Sequence, residues 1–451
     1  MVLVETDTLV VRSHLQVGVN IVGERNLFWN FGDTLAPSAG YQSDKAWLEA
    51  YVKPGISWSK SFDGLAAYSK VSVVMSGTVG TDAFDTGDTG RLSLEEAYLG
   101  LRTEGDEERS FDLSVGPREY RAGTGMLLAN GGSSGFTRGA LKLGPHKAWE
   151  MAGLAHMRRG SLAGTAFYLD ANESPDSDSG TRILGGDLRY DGRNERFLGV
   201  TVGTVLASNA PYPKAASGGI GMPSILPGAR NGLNFVNVYA RGTPLANSGA
   251  LGDFFLAGDF AYEWNRDIDM RAWAGRLQLG YMFSQANWSP TIIYSYQSFS
   301  GDDPATGRLE RFDPLYYEGN PSAWSTGSKS SMVFINSNIN AHQLALRVTP
   351  TPSDILTLRA AYIRANKLLS PIQFGQATRV EEIDGIANPI AGVTHHHLSD
   401  DVFLEYTRIV NPNIYVTAGF SVSVPGRGID SIVPVKAPLW SGGFINVVVN
   451  Y

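Results

Sequence analysis

The strongest constraint in this chain is a two-residue period that persists from one end to the other. It is plainest in the last ten residues, GGFINVVVNY. Ile445, Val447, Val449 and Tyr451 fall in one row, and Phe444, Asn446, Val448 and Asn450 in the other. Successive side chains of a strand point to opposite faces, so each row is one side of a sheet. The pattern recurs at Leu9, Val11, Leu15, Val17 and Val19, set against Arg12, His14, Gln16 and Asn20. It returns at Leu48, Ala50, Val52, Ile56 and Trp58 against Glu49, Tyr51 and Lys53. Phe254, Leu256, Phe260, Tyr262 and Trp264 stand against Asp253, Asp259 and Glu263.

About eighteen segments read this way: 8–20, 45–60, 65–80, 92–103, 110–117, 136–144, 147–158, 181–191, 196–207, 232–243, 251–265, 270–284, 289–300, 338–350, 355–366, 397–410, 413–424 and 440–451. Many exceed the five or six residues of an ordinary strand. They suit the roughly 9–11 residues that a tilted strand needs to cross a bilayer.

The connectors alternate in length. Short ones are Phe62-Asp63-Gly64, Gly144-Pro145-His146-Lys147, Asp191-Gly192-Arg193-Asn194, Thr351-Pro352-Ser353-Asp354 and Asn411-Pro412-Asn413. Long ones are 21–44, 118–135, 159–180, 208–231, 301–337, 367–396 and 425–439; Arg266 to Asp269 is a short member of the long series. Short turns at one end and long loops at the other belong to outer-membrane barrels. The expectation is one all-β domain over 1–451: a transmembrane, antiparallel, up-and-down β-barrel of about 18 strands. Its long loops would be extracellular and both chain ends periplasmic. Trp58, Tyr262, Trp264, Tyr281 and Phe283 lie near strand ends on the apolar face, where an aromatic girdle is expected. The closing strand must pair with the first, because an open backbone edge is not tolerated in lipid. A soluble propeller would need repeats of about 40–50 residues, and none is found.

Composition narrows the rest. Net charge is −7 with no basic run, which argues against a nucleic-acid partner. Cysteine is absent, so disulfides and thiolate metal sites are excluded. No apolar stretch reaches the ~18 residues of a spanning helix. MVLVETDTLV lacks the basic start and apolar core of a signal peptide. The chain is therefore expected to be the mature form of a Gram-negative outer-membrane protein, in contact with membrane lipid and lipopolysaccharide.

The inward row of such a barrel is its functional surface. It carries Arg12, Lys53, Arg102, Arg118, Arg189, Arg241, Arg276, Arg347 and Arg359, with Glu49, Glu96, Asp112, Asp187, Asp253, Asp259, Glu263, Asp401 and Glu405. Two readings compete. These charges pair across strands and hold a solvated interior, which is the favoured reading for most of them. Alternatively, a subset of arginines stays uncompensated and recognises carboxylates with its planar fork.

SLEEAYLGLR (93–102), FDLSVGPREYRAGTG (111–125), FDPLYYEGNPSAW (312–324), QLALRVTPTPSDILTLRAAYIRA (343–365) and LSDDVFLEYTRIVNPNIYVTAGFSVSVPG (398–426) together resemble the alginate-export porin family. The resemblance implies a monomeric eighteen-stranded barrel with an arginine-lined constriction for an anionic uronate polymer. On matching positions it implies a pore-lining role for Arg118 and Arg121, in the strand-end motif, and for Arg102, Arg347 and Arg359. Lys53, Asp401 and Glu405 join them as candidate pore-lining residues. Pro117-Arg118-Glu119 departs from the family's Gly-Arg-Gln order, and the row Tyr415, Thr417, Gly419, Ser421 carries no cation.

The expected function is a passive channel for anionic saccharides, or export of an anionic polysaccharide such as alginate, with no catalytic residue, metal or cofactor. One alternative is an uptake channel for small hydrophobic or aromatic nutrients, with loops 301–337 and 367–396 folding inward and the apolar run SSMVFIN (330–336) lining the path. Another is a barrel hydrolase using His14 or His156, though no Gly-x-Ser-x-Gly elbow accompanies them. His395-His396-His397 lacks a completing ligand set and reads as loop packing. The acidic loop with Asp170, Glu173, Asp176 and Asp178 does not have EF-hand spacing and reads as solvated.

Overall fold

The alternation closes into a cylinder. The computed structural model describes residues 1–32, 40–84, 87–105, 108–246, 248–319, 324–327, 334–374, 382–383, 386–387 and 391–451. Eighteen wall strands follow one another as antiparallel neighbours. They are β1 (Leu9–Arg25), β2 (Lys45–Phe62), β3 (Leu65–Val79), β4 (Thr89–Thr103), β5 (Arg109–Arg118), β6 (Trp149–Arg159), β7 (Leu162–Asp170), β8 (Arg182–Asp191) and β9 (Phe197–Ala207). Then come β10 (Leu233–Gly242), β11 (Phe254–Asn265), β12 (Met270–Met282), β13 (Thr291–Phe299), β14 (Ile339–Thr351), β15 (Asp354–Ala365), β16 (His397–Asn411), β17 (Ile414–Pro425) and β18 (Trp440–Asn450). β1 also pairs with β18, from Gln16 opposite Asn450 to Arg25 opposite Ser441, so the first and last strands seal the wall. A short strand, Val2–Glu5, lies beside the start of β1.

One face of each strand is an apolar belt. Ile21, Ile56, Met75, Leu92, Val115, Leu188, Phe260, Leu344 and Ile445 are all exposed on it. A water-facing sheet would not leave so much apolar surface bare; lipid is the solvent that makes it favourable. Tyr262 stacks on Trp264 and Tyr281 meets Phe283 edge-on at 4.7 Å, at the strand ends where the girdle is expected.

The strand count matches, but two segments differ from the expectation. Residues 136–144 are not wall: Phe136–Arg138 is a single 3-10 turn inside the barrel. The expected turn Gly144-Pro145-His146-Lys147 belongs to the same inward excursion, so the loop expected at 118–135 runs from 119 to 148. Conversely, the loop expected at 159–180 contains β7, a wall strand whose row Gly164, Ala166 is too small to register as an apolar alternation. Gly160 makes the tight β6–β7 turn possible, with φ near +56°. Leu141 and Leu143 are spaced like a strand row, but Leu141 is packed inside the wall.

Inward aromatics lie flat over glycines directly opposite on the neighbouring strand. The pairs are Tyr51 over Gly18, Tyr68 over Gly100, Phe167 over Gly185, Phe235 over Gly203, Tyr239 over Gly199, Phe255 over Gly280 and Phe444 over Gly419. A Cβ at any of these glycines would overlap the ring. The missing side chain lets the ring lie along the wall and leaves the lumen clear.

Toward the long loops, aromatic side chains pack together inside the wall. Trp29 meets Trp440 edge-on at 5.4 Å, and Phe31, Phe334 and Phe374 close around it. Of the apolar run 330–336, Phe334 is buried in this cluster and Ile335 and Asn336 are also buried; residues 330–333 lie outside the described residues. Beneath it, a buried Arg230–Asp313 pair at 2.7 and 2.9 Å joins loop 208–232 to loop 300–338. The Arg230 guanidinium is held above its ordinary pKa, because the attraction of Asp313 outweighs the cost of burial.

Candidate functional site

The inward excursion 119–148 is docked by wall carboxylates. Glu49 accepts the backbone N–H groups of Lys142 at 3.0 Å and Leu143 at 2.9 Å, and the Trp47 indole N–H at 2.8 Å. Glu95 accepts Lys147 N–H at 2.8 Å and Ala148 N–H at 3.1 Å, beside His146 Nδ1 at 3.2 Å. Hydrogen bonds to a charged acceptor contribute roughly 1.5–3 kcal/mol each. Glu95 reaches the lumen only because the β3–β4 register shifts there: Ser72 pairs Glu96, while Val73 pairs Leu94. The extra residue of this bulge turns two consecutive carboxylates inward.

The excursion also binds loop 300–338. Ala129 N–H donates to Tyr316 O at 2.8 Å, Tyr316 N–H to Leu127 O at 2.9 Å, and Glu318 N–H to Gly125 O at 2.9 Å. Arg121 pairs with Glu318 at 2.9 Å across this seam. Next to it Arg276 pairs with Asp259 at 3.0 Å, and its guanidinium lies 3.6 Å from the Trp324 ring centre. Two loops thus meet inside the barrel and narrow it.

Below the seam the wall itself lines the lumen. On β3–β5, Tyr68 and Tyr98 meet edge-on at 6.1 Å. Arg118 lies over the Tyr98 ring at 4.4 Å and Arg102 over Tyr68 at 5.3 Å. Arg118 donates to Ser114 Oγ and to the Tyr68 oxygen, and Tyr68 donates to Asp112. Gly116, at φ near +125°, brings this strand end against the β4 backbone at Ala97 and Tyr98, which sets Arg118 over its ring. Among the described residues, no carboxylate lies within ion-pairing distance of Arg102 or Arg118.

A second arc lies on β14–β16. Arg347, Arg359 and Glu405 face inward, and Asp401 is buried with Ser423 Oγ donating to it at 2.5 Å. Arg359 stands opposite Phe403, two residues along from Glu405, and makes no ion pair; nor does Arg347, among the described residues. Arg102 and Arg118 are thus brought together, and so are Arg347 and Arg359, but the two groups lie on separate arcs. Lys53 is paired, with Glu95 at 3.3 Å and Glu119 at 2.8 Å. A third arc repeats the stacked arrangement: Arg189 over Phe197 at 4.2 Å and Arg241 over Phe255 at 4.6 Å, each also ion-paired, to Asp191 and Glu195.

Ion pairing therefore holds Lys53, Arg121, Arg189, Arg241 and Arg276, between wall strands only for Lys53–Glu95 and Arg276–Asp259, and among the described residues it is lacking at Arg12, Arg102, Arg118, Arg347 and Arg359. Sequence reasoning missed the docking role of Glu49 and Glu95 and the Arg230–Asp313 pair. Glu95 had a signal: strict alternation would place a carboxylate in lipid, so Glu95-Glu96 inside an apolar row marks a bulge.

The remaining candidates have other uses. His14 meets Ser57 Oγ at 2.7 Å, and His156 meets Thr165 at 2.9 Å, but among the described residues no carboxylate bonds either ring. His395, His396 and His397 turn to three different partners: Thr394, Ala365 O and Asp400. Asp170 pairs with Arg182, and Glu173 accepts Ser179 N–H at 2.7 Å and the Tyr316 hydroxyl at 3.1 Å.

Residues 255–368 match the family described as Alginate export. This span includes two of the quoted segments, 312–324 and 343–365. No curated protein matches the chain by sequence. Among solved structures the chain is similar to Pseudomonas aeruginosa OccK2 (OpdF), with TM-score 0.54 and 10% identity over 98% of this chain and 97% of that one. It is similar to Pseudomonas aeruginosa OccK7 (OpdD), with TM-score 0.51 and 12% identity over 98% of each chain. It is also similar to OccK2 in complex with glucuronate, with TM-score 0.51 and 10% identity over 98% and 96%. The shared feature is the fold, that of outer-membrane porins.

Proposed function

We propose, from a porin-type barrel with an alginate-export segment in its wall, that this chain is a passive outer-membrane channel for carboxylate-bearing saccharides. The observation that carries the reading is a group of inward guanidiniums without an ion-pair partner among the described residues: Arg102, Arg118, Arg347 and Arg359, with Arg12 a further one toward the short-turn end of its strand. A guanidinium offers a planar fork that matches a carboxylate with two hydrogen bonds. Stacking on Tyr68 and Tyr98 uses the flat faces of Arg102 and Arg118, and the N–H groups not donated to Ser59, Ser114 and Tyr68 are available to a solute. The Arg121–Glu318 seam narrows the path, and Lys53 is neutralised by its two carboxylates. Asp401 is engaged within the wall, and Glu405 tempers the second arc. The match over 255–368 supports an anionic polymer, and the glucuronate bound to OccK2 is a single sugar of that chemistry.

Selectivity in such a lumen follows from fixed charge at the narrowest sections. Reversal potentials in salt gradients across planar bilayers test this, repeated with uronate oligomers present. Anion preference that weakens in Arg102→Ala/Arg118→Ala, together with current block by the oligomers, is the expected result. Block by small aromatic acids alone would favour the nutrient-uptake reading, for which the inward rings Phe197 and Phe255 are a suitable lining. Cation preference in the unaltered protein would overturn the assignment.

A further inference from the structure

Among the described residues the outward face of the wall is largely apolar, and near the long loops it carries a polar aromatic array. On β13–β16 five rings run across four neighbouring strands. His342 meets Tyr296 at 4.8 Å, shares a 2.7 Å hydrogen bond between its Nδ1 and the Tyr294 hydroxyl, and faces Tyr362 at 6.4 Å. Tyr362 in turn stacks on His397 at 4.9 Å. Arg364, exposed and directly opposite His397, ends the array, and Asp400 holds the His397 ring at 3.2 Å. Below it the same rows become Ile292, Leu344, Leu358 and Val402, all exposed and apolar. The array therefore marks the boundary between acyl chains and headgroups.

We infer that this array is a binding site for the phosphorylated glucosamine headgroup of a lipopolysaccharide molecule. The inference rests on the reading above, in which the long loops face outward; the leaflet at that end then carries this lipid. The chemistry is complementary in two ways. Tyrosine and imidazole faces pack against the apolar faces of pyranose rings while their polar edges hydrogen-bond hydroxyls. The Arg364 guanidinium, which has no carboxylate within ion-pairing distance among the described residues, offers a phosphate its fork. Two imidazoles on a membrane-facing surface are costly beside acyl chains alone and favourable beside a phosphosugar. The acyl chains would then lie along Ile292, Leu344 and Leu358.

The test is native mass spectrometry of the full chain in detergent, titrated with bisphosphorylated lipid A or phosphatidylglycerol. The unaltered protein should retain lipid A at least tenfold better than phosphatidylglycerol. His342→Ala/Arg364→Ala/His397→Ala should lose that preference, and Arg364→Lys should keep part of it. Heat-modifiable gel migration and single-channel conductance report that each variant is folded. If the triple variant does not fold, Arg364→Ala alone is read in the same way. Equal retention of the two lipids by the unaltered protein, or undiminished lipid A retention in the folded variant, overturns the site. A tag at residue 177 that labels on intact cells separates the outcomes. A labelled tag with unchanged lipid A retention sinks only the site, whereas a tag reachable only from the periplasm sinks the orientation as well.

Discussion

The Glu95 carboxylate accepts the backbone N–H of Lys147 at 2.8 Å, joining a bulge in the wall to a loop more than fifty residues away in sequence. It is the link that converts an empty cylinder into one with a built-in restriction. The same carboxylate accepts Ala148 N–H and pairs with Lys53. Glu95→Ala would leave the Lys147 and Ala148 N–H groups without their acceptor, a cost of about 1–3 kcal/mol per orphaned group, and Lys53 with Glu119 as its remaining ion-pair partner. The wall strands do not depend on it. Single-channel recordings should show larger and noisier conductance with the barrel still heat-modifiable. An unchanged, quiet current would show that the loop is held elsewhere.

The stacked arginines make a selectivity prediction. Removing Arg102 and Arg118 together should lower the anion-to-cation permeability ratio on the order of twofold or more, because local potential in a narrow lumen follows fixed charge. Arg121→Ala should do less, since Glu318 already neutralises it. Bi-ionic reversal potentials measure both, and a larger effect from Arg121 would reverse the ranking.

The glycine–aromatic pairs predict a steric effect. A side chain at Gly199 would overlap the Tyr239 ring, whose hydroxyl donates to Asp187 at 2.9 and 3.0 Å. Gly199→Val should push the ring into the lumen, cost roughly 1–3 kcal/mol as overpacking does, and reduce conductance. Gly199→Val with Tyr239→Ala should restore the current. A restoration that fails would assign the loss to backbone damage.

The loop core predicts a pH effect. Asp302 accepts the N–H groups of Ala215 and Glu310, each at 2.8 Å, and burial pushes its carboxyl pKa up. A folded-state pKa above the unfolded value near ~3.9 stabilises the docked loops fully below that unfolded value. The contribution is lost as pH rises through the raised folded value. Mild acidification should therefore tighten the contact between loops 208–232 and 300–338. Limited proteolysis of these loops should be slower at pH 5 than at pH 7.5, and Asp302→Asn should flatten the difference.

The buried ion pair gives a stability prediction. Asp313→Ala strands the Arg230 guanidinium without its bidentate partner, and uncompensated buried charges cost about 3–5 kcal/mol. Protease should then cut loops 208–232 and 300–338 while the wall resists. Cleavage no faster than in the unaltered protein would count against the pair as the anchor.

Period-two alternation was enough to derive most of the wall, its antiparallel order, its closure and the inward face of Arg102, Arg118, Arg347 and Arg359, whereas Arg121 lies in the loop beyond its strand. These depend only on which neighbour along the chain is apolar, and a membrane enforces that rule at every position. Leu141 and Leu143 show where it stops, since a segment lying inside the barrel can carry the same spacing as one facing lipid. β7 shows the converse, because Gly164 and Ala166 face lipid with side chains too small to announce it. Which arginines stay unpaired could not be read, because Lys53 meets Glu119, and Arg121 meets Glu318, across gaps in sequence that no local period spans. Local chemistry chooses a face, whereas a partner is chosen by three-dimensional closure and by loops that turn back inside. For that reason local alternation specifies a membrane-spanning cylinder with a charged interior, while the folded arrangement sets where that interior narrows and which of its charges remain open to a solute.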